Sequence, residues 1–154
     1  MTSMTHYMIM MSKWEPWGVI LFMAIPIIFA ETLTITELLV IFNKIEKSRV
    51  RTVNKITGIL GGFYFSVISI YVFCTIVMPV AQTGTWHGWV DIVAMISYVG
   101  GIVFLLPVAL MEIKAICRHR TFEQKLKIRF YLLSGYLIVS HLAMIFGMIS
   151  PKVA

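Results

Sequence analysis

Four apolar runs, roughly Trp17 to Phe42, Thr57 to Val80, Asp91 to Ile113 and Phe130 to Ser150, constrain this chain more than any motif in it. Each is about 20 residues or longer, enough as a helix to cross a hydrocarbon core of about 30 Å. In lipid every backbone N–H and C=O must be satisfied within the protein, so such a run becomes either a helix or a strand of a closed barrel. Barrel strands need alternating segments of about ten residues. These runs do not alternate, and helices are predicted throughout. With 59% of its 154 residues hydrophobic, 13% charged and a mean hydropathy of +0.89, the chain reads as an integral membrane protein. Short connectors make consecutive spans neighbours. The expected fold is therefore all-α, a single transmembrane domain over residues 1–154 in which four helices run up and down. An amphipathic segment over residues 1–16 precedes them, carrying a Met stripe at 1, 4, 8 and 11. Lys13 is the only Lys or Arg before Lys44, so no basic stretch precedes the first span and a cleaved leader is not expected.

Orientation follows from the cations. Lys44, Lys47, Arg49, Arg51 and Lys55 lie in the first connector, and Lys114, Arg118, Arg120, Lys125, Lys127 and Arg129 in the third, eleven of the thirteen Lys and Arg. The positive-inside rule makes that side cytoplasmic. The connector AQTGTWHGW has no Lys or Arg, so both termini and residues 81–90 are expected outside, which in a Gram-negative source is the periplasm. Trp14, Trp17, Trp86 and Trp89 fall on the same side as interfacial anchors. The net charge of +6 is then topology and attraction to anionic headgroups, with no nucleic acid partner implied. Cys74 and Cys117 fall on opposite sides, too far apart for a disulfide. No phosphate-binding, nucleophile-elbow or zinc-protease motif is present. Nothing marks the chain as an enzyme on its own.

Ionisable groups inside spans are costly and are functional candidates by default. In FAETLTITEL, Glu31 lies about 20 Å below Trp17, near mid-membrane, and Glu37 about 9 Å deeper. Six residues turn a helix through about 600°, which separates the two carboxyls by about 120° and rules out a tight dyad. Glu37 is expected near the inner interface, pairing with Lys44, Lys47 or Arg129. Glu31 shares its face with Met23 and Thr34 and needs a cation or donor to answer it. The last span offers one in His141, which forms a helical stripe with Met144 and Met148. Imidazole with thioether is the ligand set of soft copper sites and of His/Met or bis-His haem. His6 stands among methionines in the amino-terminal segment. Folded back over the helices, that segment would bring His6 toward His141, or toward His87 as an alternative partner. Asp91, Met95 and Tyr98 line a face of the third span below His87.

The stretches MTHYM at 4–8, FMAIP at 22–26, AE at 30–31, ITEL at 35–38 and HLAMIFGM at 141–148 make the chain resemble a family of small four-span bacterial inner-membrane proteins. The family is uncharacterised and sometimes labelled permease. The resemblance implies that His6, Glu31, Glu37 and His141 belong to one recurring constellation, and it implies no activity.

Three functions are compatible with these residues. The first is a metal cofactor, haem b or copper, held in the outer half by His6, His141, Met144 and Met148 for electron transfer, with Gly147 leaving room for a macrocycle. Here Glu31, Thr34 and Glu37 orient ligands or handle protons, and His87, Met8 and Met23 are alternative ligands. The second is a proton- or cation-coupled permease using Glu31 and His141, by analogy with small multidrug exporters. The third is a non-catalytic accessory subunit, as a homo-oligomer or within a larger respiratory-type complex.

Overall fold

The computed structural model of the chain describes residues 4–43, 49–117 and 119–149, with the backbone alone at Asn43. Among the described residues all regular structure is helical. A short helix, α1 (His6–Ser12), precedes four long ones: α2 (Trp17–Phe42), α3 (Arg49–Thr83), α4 (Trp89–Glu112) and α5 (Phe122–Met148). The long helices have 26, 35, 24 and 27 residues and are long and apolar enough to cross a membrane. Helices α3 and α5 each begin eight residues before their apolar runs at Thr57 and Phe130. The added turns carry Arg49, Arg51, Lys55, Lys125 and Lys127, and Lys and Arg are good helix formers. Hydropathy thus marks where lipid would end, while backbone hydrogen bonding carries the helix further.

Two compact units make up the chain, and every long helix contributes a segment to each. The terminal unit comprises Met1–Ile25, Val67–Gly101 and Ile138–Ala154, and the connector unit comprises Pro26–Ser66 and Ile102–Leu137.

In the terminal unit α1 is folded back onto the long helices. Thr5 caps it by accepting from the Met8 N–H at 3.3 Å, and the same hydroxyl donates to the Gly147 carbonyl at 2.5 Å. Tyr7, Met10 and Met11 are buried beneath it. The Tyr7 ring occupies the space that a Cβ on Gly147 would need, and it meets Tyr98 edge-on with centroids 5.9 Å apart. Burial pushes the Tyr7 phenol up to about 12. The backbone of Met11 presses as closely on Gly18. The methionine stripe is therefore partly a packing surface.

A second device in this unit repairs a break in α2. Pro26 has no N–H to offer the carbonyl four residues back, that of Phe22. A π-helical stretch, Ile20–Ala24, widens the backbone just before it. The Tyr98 hydroxyl then donates to the Phe22 carbonyl at 2.9 Å. Without that hydroxyl a buried acceptor would lose its donor, in a setting where water is scarce.

The connector unit is packed by Leu33, Val40, Leu105, Val108 and Leu133, all buried. A row of small residues on α3 lets helices approach closely. A Cβ on Gly62 would stand 2.9 Å from the Leu105 carbonyl oxygen, so α4 backbone lies almost against α3 there. Phe65 and Tyr136 stack edge to face at 5.2 Å.

Tyr98→Phe tests the repair at Phe22. Leaving a buried carbonyl unpaired is expected to cost about 1–3 kcal/mol, read as a lower thermal midpoint in detergent with helix content unchanged.

Candidate functional site

The amino-terminal fold-back brings His6 to the start of α4. Gly88 precedes α4 with φ 108°, a conformation that a residue with a Cβ rarely adopts. That turn places Asp91 in the first turn of the helix, where the positive end of the helix dipole and free N–H groups favour a carboxylate. Asp91 is 0% exposed, yet its oxygens are fully engaged. Oδ1 accepts from the His6 backbone N–H at 2.7 Å, and Oδ2 accepts from His6 Nδ1 at 2.5 Å and from the His87 backbone N–H at 3.3 Å. His87 Nδ1 lies 2.7 Å from the Met4 carbonyl. A carbonyl only accepts, so His87 carries its proton on Nδ1, and a carboxylate imposes the same on His6. Both imidazoles therefore keep an unprotonated Nε2 when neutral.

The two rings stack, with centroids 4.5 Å apart and planes 16° from parallel, and Trp86 closes the edge of His6 at 6.2 Å. One potential ligand atom from each of His6, His87 and Asp91 lies within 4.8 Å of the others. Ligands of a tetrahedral ion at about 2.0 Å are about 3.3 Å apart. A haem cannot take these two imidazoles as axial ligands, because its axial rings stand on opposite faces of the macrocycle.

A second cluster of charge lies in the connector unit. Arg129 is 2% exposed and Glu37 1% exposed. Arg129 Nη2 binds Glu37 Oε2 at 2.8 Å, and Arg129 Nη1 pairs with Glu112 Oε1. Arg51 Nη2 binds Glu112 from the other side at 3.0 Å. Asn54 joins them: its amide donates to Glu37 Oε2 at 2.9 Å and to Thr36 Oγ1 at 3.0 Å, while its oxygen accepts from Arg129 Nη2 at 2.6 Å and Arg51 Nη1 at 2.8 Å. The two Glu and two Arg balance, so four helices meet around a buried group of no net charge. Glu37 is enclosed by its neighbours, and Arg129, one of the partners expected for it, is the cation it meets. Lys44 and Lys47, also weighed as partners, lie outside the described residues.

The remaining candidates are not drawn into either cluster. Glu31 is exposed on the surface of α2, and among the described residues no hydrogen bond or ion pair reaches it. Thr34 donates to the Ala30 carbonyl of its own helix at 2.7 Å. His141 is exposed on α5 and stands outside the His6, His87 and Asp91 group. Met148 is 56% exposed, while Met8, Met23 and Met144 are half-buried. The space at Gly147, expected to admit a macrocycle, holds the Tyr7 ring. Cys74 and Cys117 are both free.

Sequence reasoning passed over Asn54, Arg51 and Glu112, and gave Asp91 no ligand or orienting role. Asp91 was readable as an acid three residues after the glycine that opens a helix, the position from which a side chain reaches back to cap. Glu112 was readable as an ionisable residue inside an apolar run.

The chain is thus a helical protein with four candidate membrane spans, a stacked histidine pair oriented by a carboxylate and a backbone carbonyl, and a buried, charge-balanced ion cluster. It belongs to the family of unknown function DUF6803, whose model matches residues 1–154. No curated protein and no solved structure matches the chain.

Removing one member of a buried ion cluster strands its partners. Arg129→Ala is expected to cost about 3–5 kcal/mol, visible in detergent as a large drop in unfolding temperature. Arg51→Ala, at the half-exposed edge of the cluster, should cost markedly less in the same assay.

Proposed function

We propose that this protein binds a divalent first-row transition-metal ion, copper(II) or zinc(II), through Nε2 of His6 and His87, with Asp91 orienting His6. The observation that carries this reading is that both Nδ1 atoms are engaged. A ligating histidine characteristically donates its other ring N–H to a carboxylate or backbone carbonyl, which fixes tautomer and ring direction. Here Asp91 serves His6 and the Met4 carbonyl serves His87. Imidazole with carboxylate nearby is a borderline donor set, suited to copper(II) and zinc(II) more than to copper(I). Met8, whose backbone N–H joins the Thr5 cap, belongs to the same helix as His6 and lies two residues from it in sequence.

The distribution of Lys and Arg supports placing both termini, and with them this site, on the outer face of a bacterial inner membrane. Bound copper would supply a one-electron carrier there. The protein's own part is to hold two imidazoles ready, to keep Asp91 buried beside them, and to cover the group with Trp86 and α1.

Titration of the purified, metal-stripped protein with copper(II) and with zinc(II) tests the proposal. One ion per chain is expected, with nitrogen hyperfine coupling in the copper electron paramagnetic resonance spectrum. Asp91→Asn should weaken binding by about 10–100-fold, and the His6→Ala, His87→Ala double variant should abolish the stoichiometric site. Undiminished binding in the double variant would sink the reading. Gly147→Val offers a check that leaves every ligand in place. A branched side chain there displaces Tyr7, lifts α1 and should lower metal affinity about ten-fold or more, with circular dichroism unchanged.

A further inference from the structure

On α2, residues 28, 31, 35, 39 and 42 follow one another at spacings of three and four and share a face. All five are exposed, with Ile28 at 61% and Ile35 at 59%. For the aliphatic and aromatic members this is what a lipid-facing surface looks like. Glu31 is the exception. It lies fourteen residues from Trp17 and eleven from Phe42, so about 21 Å and 17 Å from the two ends of its span. A glutamate side chain cannot snorkel to water over such a distance, and a carboxyl facing hydrocarbon there carries a penalty of several kcal/mol. Its own helix gives it nothing, because the Thr34 hydroxyl is spent on the Ala30 carbonyl. Acyl chains offer neither donor nor acceptor. Whatever covers this face must present a polar group at the depth of Glu31.

We infer that the Glu31 face of α2 is the contact between two copies of this chain, with the two Glu31 carboxyls meeting across a two-fold axis. A two-fold contact is isologous, so a residue near the axis meets its own equivalent at the same depth without further adjustment. A carboxyl group is self-complementary in the same sense, since one that holds a proton donates to another that accepts. Ile28 and Ile35 flank the pair and seal it in an apolar seam, the arrangement in which a polar contact between membrane helices is least exposed to competition. A second copy therefore supplies both what the carboxyl lacks and what the stripe around it packs against.

The test uses the full chain, with Cys74→Ser and Cys117→Ser, reconstituted in phosphatidylcholine vesicles. Single cysteines are placed at Ile28, at Ile35, or at the equally exposed Val103 on α4. Oxidation is expected to give covalent dimers at Ile28 and Ile35 and few at Val103. Fluorescence energy transfer between labelled copies, followed as lipid is added, reads the association itself. Glu31→Gln keeps a self-pairing polar group and should associate as the parent does, whereas Glu31→Leu should associate about ten-fold more weakly. Since residue 31 points away from the protein interior, both variants, diluted in detergent to the monomer, should retain the parent's unfolding temperature. A chain that stays monomeric at every lipid ratio, cross-linking at Val103 as strong as at Ile35, or undiminished association of Glu31→Leu would each overturn the inference.

Discussion

Hydrocarbon supplies no hydrogen bonds, and that single constraint accounts for most of what the polar residues of this chain do. A polar atom in a span must find its partner inside the protein. The Phe22 carbonyl, deprived of a donor by Pro26, takes the Tyr98 hydroxyl. Thr34 and Thr36 turn their hydroxyls back onto carbonyls of their own helix. The largest response is the cluster around Asn54, which gathers Glu37, Glu112, Arg51 and Arg129 from four helices. Burial of so many charges is tolerated because the signs cancel and because one amide bridges them. The same arrangement fixes the register of each helix, since a slip of one residue would strand an ion.

The histidine pair answers a different need. Asp91 is as deeply buried as any residue in the protein, and three hydrogen bonds together with the helix amino terminus compensate it. Two of those bonds come from His6, which belongs to a separate short helix. Docking of α1 and completion of the Asp91 shell are therefore one event. Thr5 and Tyr7 hold the other side of α1 against Gly147. The result is a pair of imidazoles whose protonation pattern is dictated by fixed acceptors, which is why a metal reading is chemically coherent for His6 and His87.

Much of this was legible before any coordinates. Four helices long enough to span a membrane follow from run length and the cost of unpaired backbone groups. The separation of Glu31 from Glu37 by about 120° follows from helical pitch. Pitch alone does not say which of the two faces inward, because α2 is apolar nearly all round and offers no polar side to orient it. Mid-membrane depth made Glu31 look like the internal group. The structure buries Glu37 instead, since Arg129 and Asn54 are there to receive it, and leaves Glu31 outward. The Met stripe near α1 was ambiguous in a similar way. Methionine at helical spacing fits packing and ligation equally well, and within the stripe Met11 is buried while Met4 is exposed.

The sequence by itself determined the class of fold, the number of candidate spans and the residues that would be expensive to bury. It did so because hydrophobicity, helix length and hydrogen-bond capacity are local properties, readable one segment at a time. Which expensive residues meet was decided only by tertiary structure. His6 finds Asp91 across 85 positions and Arg129 finds Asn54 across 75. Such pairings depend on how helices rotate about their axes and on where a glycine lets one chain segment approach another, and neither quantity is encoded in the composition of a single helix.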